Sequence, residues 1–166
     1  MSRHSRLALM VCALFATGSA GAATRTGNLP VSATVTTNCL LTTATMAFGT
    51  YTQGGGNRNA NGQIRLLCTA GLAYAIGLGA GLAPGATETN RSMQNGAALL
   101  AYQLFRNPPR TQNWGQTLAA DRVTGTANGM NNDDVHVIRG RIPDSAGNQL
   151  VPGGNYTDTV LVTITY

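Results

Sequence analysis

The feature that most constrains this chain is the spacing of its apolar residues. They recur at every second position in short runs, and clusters of Gly, Pro, Asn and Asp cut the runs apart. No long stretch keeps an uninterrupted helical period, which argues against long helices. Period two places alternate side chains on one face, so each run can bury one side and show the other to water. Many such runs joined by turns predict an all-β protein, an antiparallel sandwich or barrel. Strands read at residues 29–35, 37–42, 62–69, 72–79, 98–106, 135–142 and 156–166. Ile64, Leu66 and Cys68 share a face, as do Tyr74, Ile76 and Leu78, and Leu100, Tyr102 and Leu104. Asn107-Pro108-Pro109 stops one strand, because proline has no N–H to give a ladder. Residues 79–95 read as irregular around a Pro84-Gly85 turn, and Pro152-Gly153-Gly154 turns the chain into its last strand.

The first residues read as an export signal. Arg3, His4 and Arg6 form a basic start, and residues 7–16 form an apolar run too short to span a bilayer. Ala20-Gly21-Ala22 fits a cleavage site, with cleavage expected after Ala22, or alternatively after Ala23. A mature chain of about 144 residues is enough for one domain with its own core. Cleavage removes Arg3 and Arg6, leaving nine Arg against six acids and no lysine, a net charge near +3. No stretch clusters Arg with aromatics, so a nucleic-acid partner is not expected. Cys12 leaves with the signal. Cys39 and Cys68 remain, an even pair in an exported protein, and predict one disulfide rather than two free thiols. Closing a loop of about 30 residues is worth roughly 3.5 kcal/mol in the chain-entropy picture.

No constellation points to chemistry. His136 has neither a serine nor an orienting acid marked beside it, since Asn131-Asn132-Asp133-Asp134 reads as a turn. One His and two disulfide-bound Cys cannot hold zinc. Glu88, Asp121, Asp133, Asp134 and Asp144 fall in loops or at strand ends, and no motif selects a catalytic pair. Gly77-Leu78-Gly79-Ala80-Gly81 has the glycines of a phosphate loop but not its spacing, its Lys or its helix. Trp114 reads as a packed aromatic more readily than as a stacking platform. No catalytic, cofactor-binding or metal residue is nominated, and no cofactor or small-molecule substrate is expected.

The two terminal strands suggest assembly. The last alternating stretch runs to Tyr166, and no turn ties residues 29–35 to a sheet of their own. An unpaired edge invites association, so we expect a subunit completed by its neighbours. By periodicity alone, residues 29–35 serve equally well as the first strand of the chain's own sheet.

The order of the fragments resembles the spore coat protein U domain family. The resemblance lies in Val35-Thr36-Thr37-Asn38-Cys39, Ile64-Arg65-Leu66-Leu67-Cys68-Thr69, Tyr74-Ala75-Ile76-Gly77-Leu78 and Arg91-Ser92-Met93. It continues through Leu100-Ala101-Tyr102-Gln103-Leu104-Phe105, Trp114-Gly115, Val137-Ile138-Arg139-Gly140-Arg141-Ile142-Pro143 and the stretch from Pro152 to Val160. The chain departs at Val137-Ile138, where the family commonly has an aromatic before the glycine. That family includes the subunits of archaic, Csu-type chaperone–usher pili. The resemblance implies an incomplete immunoglobulin-like β-sandwich, completed by a donor strand from a neighbouring subunit.

On this reading residues 1–22 are the signal peptide, 23–36 the N-terminal donor strand and 37–166 the pilin domain. Leu29, Val31, Ala33 and Val35 would enter the neighbour. Val160, Val162, Ile164 and Tyr166 would line a C-terminal edge strand that meets a chaperone or partner. Expected partners are identical or related subunits, a periplasmic chaperone and an outer-membrane usher. The expected role is a non-enzymatic pilus subunit, exported through the periplasm to the cell surface for attachment and biofilm formation. The alternatives are an outer-membrane β-barrel, or a secreted coat or binding β-sandwich protein.

Overall fold

A computed structural model of the chain describes residues 21–166. The export signal expected over residues 1–22 therefore lies, save for its last two residues, outside the described residues. The chain divides into a unit ending at Thr34 and a compact unit from Val35 to Tyr166.

Residues 21–38 carry no strand and are exposed. Residues 29–35 form no strand in the single chain, and Leu29 and Val31 are 84% and 85% exposed. Alternation selects a face, but a strand forms only when its main-chain groups find a ladder.

The compact unit holds eight strands among the described residues: β1 (Cys39–Thr45), β2 (Arg58–Cys68), β3 (Ala73–Leu78), β4 (Arg91–Asn95), β5 (Ala98–Phe105), β6 (Val123–Thr126), β7 (Asp134–Ile142) and β8 (Val162–Thr165). They form a five-stranded sheet ordered β1-β2-β7-β5-β4 and a three-stranded sheet ordered β6-β3-β8. Every ladder is antiparallel. The core lies between the sheets. β2 contributes Ile64, Leu66 and Cys68, β3 Tyr74, Ile76 and Leu78, β5 Leu100, Tyr102 and Leu104, and β7 Ile138 and Ile142. Each such side chain taken fully from water contributes about 1.5–3 kcal/mol. Gly140 faces inward between the two isoleucines of β7. A Cβ there would collide first with Met46 Cε and then meet the Phe48 ring at 2.8 Å, so the glycine makes the room that both side chains occupy.

The two sheets are open and have edges, which excludes the outer-membrane β-barrel: a barrel must close its sheet. β4 corrects the reading of residues 79–95 as irregular throughout. Its sequence, Arg91-Ser92-Met93-Gln94-Asn95, has no apolar alternation. It forms because it is the first arm of a tight hairpin to β5, with Asn95 paired to Ala98 and Gly96 at φ +59° in the loop. β6 is short and polar and was not expected. The last strand is also shorter than its alternation predicts, since only residues 162–165 join a ladder.

Cys39 and Cys68 are disulfide-bonded across the β1–β2 ladder, where they are direct partners. Trp114 is buried in the core and donates its Nε1–H to Ile76 O at 3.0 Å. That anchoring is structural and leaves no stacking face to a ligand.

Candidate assembly groove

β1 stops pairing at Thr45, yet Met46 and Phe48 keep its alternation beyond it. Phe48 is buried, and Met46 and Tyr51 are half-buried against the core. Among the described residues no main-chain hydrogen bond reaches residues 46–51. The Phe48 carbonyl is instead taken by Arg58 Nε at 2.7 Å.

The facing wall is the approach to β8. Thr157 exchanges two main-chain bonds with Gln94 of β4, of 2.8 and 3.0 Å. Five residues later Val162 pairs with Leu78 of β3. The chain therefore passes from one sheet to the other. Between these points Gly79 N–H donates to Leu161 O at 2.9 Å, while the N–H of Val160 has no main-chain partner among the described residues.

Between the two walls lies a groove of about 1070 Å³. Leu78, Leu100, Tyr102, Leu104, Ile138 and Ile142 line its interior, with Met46, Phe48 and Val160 on its flanks. Its interior residues are buried, none more than 5% exposed, and it runs along an unlaced side of the sandwich.

A polar brace sits at one end. Tyr102 Oη donates to Asp158 Oδ2 at 2.6 Å, and that carboxylate also accepts the N–H groups of Leu82 and Thr159 at 2.8 and 2.7 Å. Burial, the Asp158 hydrogen bond and the Asp158 charge push the Tyr102 hydroxyl strongly up, so it remains a donor. Arg91 is fully buried and reaches four carbonyls, Gly79 O at 2.7 Å, Leu78 O at 2.9 Å, Trp114 O at 2.8 Å and Glu88 O at 2.5 Å. Its burial lowers its pKa, and Tyr102, Glu88 and Asp158 oppose that.

Two carboxylates fasten the loops nearby. Glu88 accepts from the N–H groups of Gln116 and Thr117 and from Thr117 Oγ1. Burial pushes its carboxyl up, but the bonds from Thr117 and Gln116, with Arg91 nearby, outweigh this and hold it below the usual range. Asp144 accepts from Tyr51 Oη at 2.9 Å and from the N–H groups of Gly54 and Gly56, which holds it low as well.

The residues singled out in the sequence separate as follows. Val160 and Val162 line the groove. Ile164 lies on β8 opposite Ile76, half-buried. Tyr166 follows the last residue of β8 directly and is 56% exposed. Leu29, Val31, Ala33 and Val35 are all exposed. His136 Nε2 lies 2.8 Å from Tyr74 Oη, and no group of three metal-ligating side chains occurs among the described residues. Met46, Phe48 and Tyr51 were missed. Met46 and Phe48 continue the inward alternation of β1 and Tyr51 falls outside it, and no run of large aliphatics announces any of the three.

Comparison with known proteins agrees with this architecture. A model of the Spore Coat Protein U domain family matches residues 25–163. Protein U of Myxococcus xanthus is 33% identical over 172 aligned positions, covering 92% of this chain and 91% of that protein. The fold is shared with a chain of the crystal structure of the CsuC–CsuE chaperone–tip adhesion subunit pre-assembly complex, from archaic chaperone–usher Csu pili of Acinetobacter baumannii. That match has a TM-score of 0.59 at 24% identity over 80% of this chain. It spans 41% of the solved chain, less than half its length. The open two-sheet sandwich and the order of its strand sequences therefore identify the chain as a member of the Spore Coat Protein U domain family.

Proposed function

We propose that this protein is a non-enzymatic structural subunit of a chaperone–usher pilus, polymerised by donor-strand exchange. The observation that carries the reading is the apolar groove between residues 44–51 and 152–162. A strand laid there would supply main-chain partners to residues 46–51 and side chains to the interior. Residues 29–35 suit the task. Leu29, Val31, Ala33 and Val35 alternate with Pro30, Ser32 and Thr34. Seven extended residues span about 23 Å, and the eight of the 44–51 wall about 26 Å. The stretch 23–36 of one subunit would fill the groove of the next. Before that a periplasmic chaperone would fill it, and an outer-membrane usher would direct the exchange. Such fibres would serve attachment and biofilm formation at the cell surface.

The test places a charge in the donor. Val31→Asp or Val35→Asp is expected to abolish fibres, because an unpaired buried charge costs several kcal/mol even after relaxation. Ser32→Asp and Thr34→Asp on the other face are expected to be mild. Fibres are scored by electron microscopy and chaperone binding by pull-down. Equal fibre yield from both faces refutes the donor assignment. Loss of chaperone binding in the inward pair alone returns this stretch to the subunit's own fold.

A further inference from the structure

The outer face of the five-stranded sheet carries an arginine cluster that lies apart from the groove. β7 places Arg139 opposite Asn61 of β2 and Phe105 of β5, and Arg141 opposite Asn59 and Gln103. These positions alternate with the inward Ile138, Gly140 and Ile142, so their side chains leave the sheet on its outer side. Arg110 joins them from the loop after β5. Its Nε donates to Gly140 O at 3.1 Å, and its Nη2 to Asn61 Oδ1 at 3.0 Å. Gly140 stands between Arg139 and Arg141, so the Arg110 head sits over β7 beside both. Arg110 has φ +58°, the one non-glycine residue in the left-handed region among the described residues.

No carboxylate answers this charge. The one ion pair among the described residues joins Arg65 to Asp133, further along the β2–β7 ladder. Arg141 Nε donates to the neutral Asn59 Oδ1 at 3.1 Å, and its guanidinium lies 5.7 Å from the centre of the Phe105 ring. Arg139 Nε is buried with no acceptor among the described residues. Burial, then the charges of Arg141 and Arg139, weaken the hold of Arg110 on its proton. Arg110 and Arg141 bond only neutral oxygens and Arg139 Nε bonds none, so three neighbouring cations lack an anion.

The chain's own acids cannot supply it. Glu88, Asp134, Asp144 and Asp158 are bonded within the fold and Asp133 is held by Arg65, which leaves Asp121 alone. A second copy thus brings no acidic face. Phe105 is only 8% exposed, so no open ring awaits a nucleobase. The amides of Asn59, Asn61 and Gln103 on the same face suit hydroxyl groups.

We propose that Arg110, Arg139 and Arg141 form a binding site for an anionic glycan, with the neighbouring amides taking the sugar hydroxyls. Guanidinium forks match carboxylate and sulfate groups equally, so both chemistries are admitted.

Titration of the purified full-length chain with labelled polygalacturonate and dextran sulfate tests this, with neutral dextran, polyglutamate and duplex DNA alongside. At least one anionic glycan should bind, more weakly as salt rises. Arg139→Gln with Arg141→Gln should weaken it by about tenfold or more, since two charge-assisted contacts go. Arg25→Gln with Arg122→Gln removes the same charge elsewhere and should change little. Equal loss in both pairs, equal binding of neutral dextran, or tighter binding of polyglutamate or DNA overturns the proposal. Should the double variant fail to fold, Arg141→Gln alone decides, and unchanged binding by it counts against the site.

Discussion

Removing the buried guanidinium of Arg91 should unlock the end of the sandwich near the groove. The perturbation is Arg91→Met, which keeps an unbranched apolar stem and deletes every donor. The side chain is fully buried and holds the carbonyls of Leu78, Gly79, Trp114 and Glu88. Leu78, Gly79 and Trp114 are themselves buried residues. Each orphaned buried carbonyl costs about 1–3 kcal/mol, so three give roughly 3–9 kcal/mol. Against this, the variant no longer holds a cation away from water, a relief of several kcal/mol. The net expectation is a loss of about 3–5 kcal/mol, a large share of the stability of an ordinary domain. Arg91→Lys keeps the charge but has three donors on a point head for four acceptors, and should lose less. The assay is urea unfolding with the disulfide intact, followed by the fluorescence of Trp114, the single tryptophan, whose ring is buried and whose carbonyl Arg91 binds. With a slope of about 1–3 kcal/mol per molar urea, the midpoint should move by more than about 1 M. An Arg91→Met midpoint within a few tenths molar of the parent would refute the reasoning, showing that water or shifted backbone satisfies those carbonyls.

The remaining predictions concern the disulfide, acid stability, packing and association. Cys39→Ser with Cys68→Ser should lower stability by about 3.5 kcal/mol, read from the same urea curves, and mapping under non-reducing conditions should find the two cysteines joined in exported protein. Glu88 and Asp144 have folded pKa values below their ordinary ones, so each stabilises the fold fully above its unfolded value near 4.5 or 3.8 and loses that contribution as pH falls through its folded value. The His136 imidazole is lowered by burial, with Asp134 opposing, so its loss of stability begins earlier, as pH falls below about 6.5. Glu88→Gln should therefore flatten the acid limb of a stability–pH profile at its low end, and His136→Gln its shallow upper part; unchanged profiles would count against both assignments. Gly140→Val should destabilise by about 1–3 kcal/mol, because its side chain meets Met46 and Phe48, and a melting temperature equal to the parent's would show that both swing away freely. The chain without residues 23–35 should associate or require a chaperone for solubility, and a monodisperse monomer that unfolds cooperatively would argue against an incomplete domain.

What the sequence determined by itself was what two-residue alternation can encode. Ile64, Leu66 and Cys68, then Tyr74, Ile76 and Leu78, then Leu100, Tyr102 and Leu104, marked three core strands because a strand buried on one face must repeat at period two. The cysteine pair and the proline stop after β5 were legible for equally local reasons, export context and a missing N–H. The tertiary structure decided everything that depends on a partner distant in the chain. β4 has no alternation to read, and exists because a hairpin delivers Arg91–Asn95 to β5. Residues 29–35 have perfect alternation and form no strand, since pattern chooses a face but only a ladder satisfies backbone N–H and C=O groups. The groove could not be read either. Its walls, residues 44–51 and 152–162, lie about a hundred positions apart, and its interior comes from β3, β5 and β7. The arginine cluster is divided in the same way: Arg139 and Arg141 share a face of one strand by period two, but Arg110 lies about thirty positions away and reaches them only through the fold, from a left-handed residue in the loop after β5.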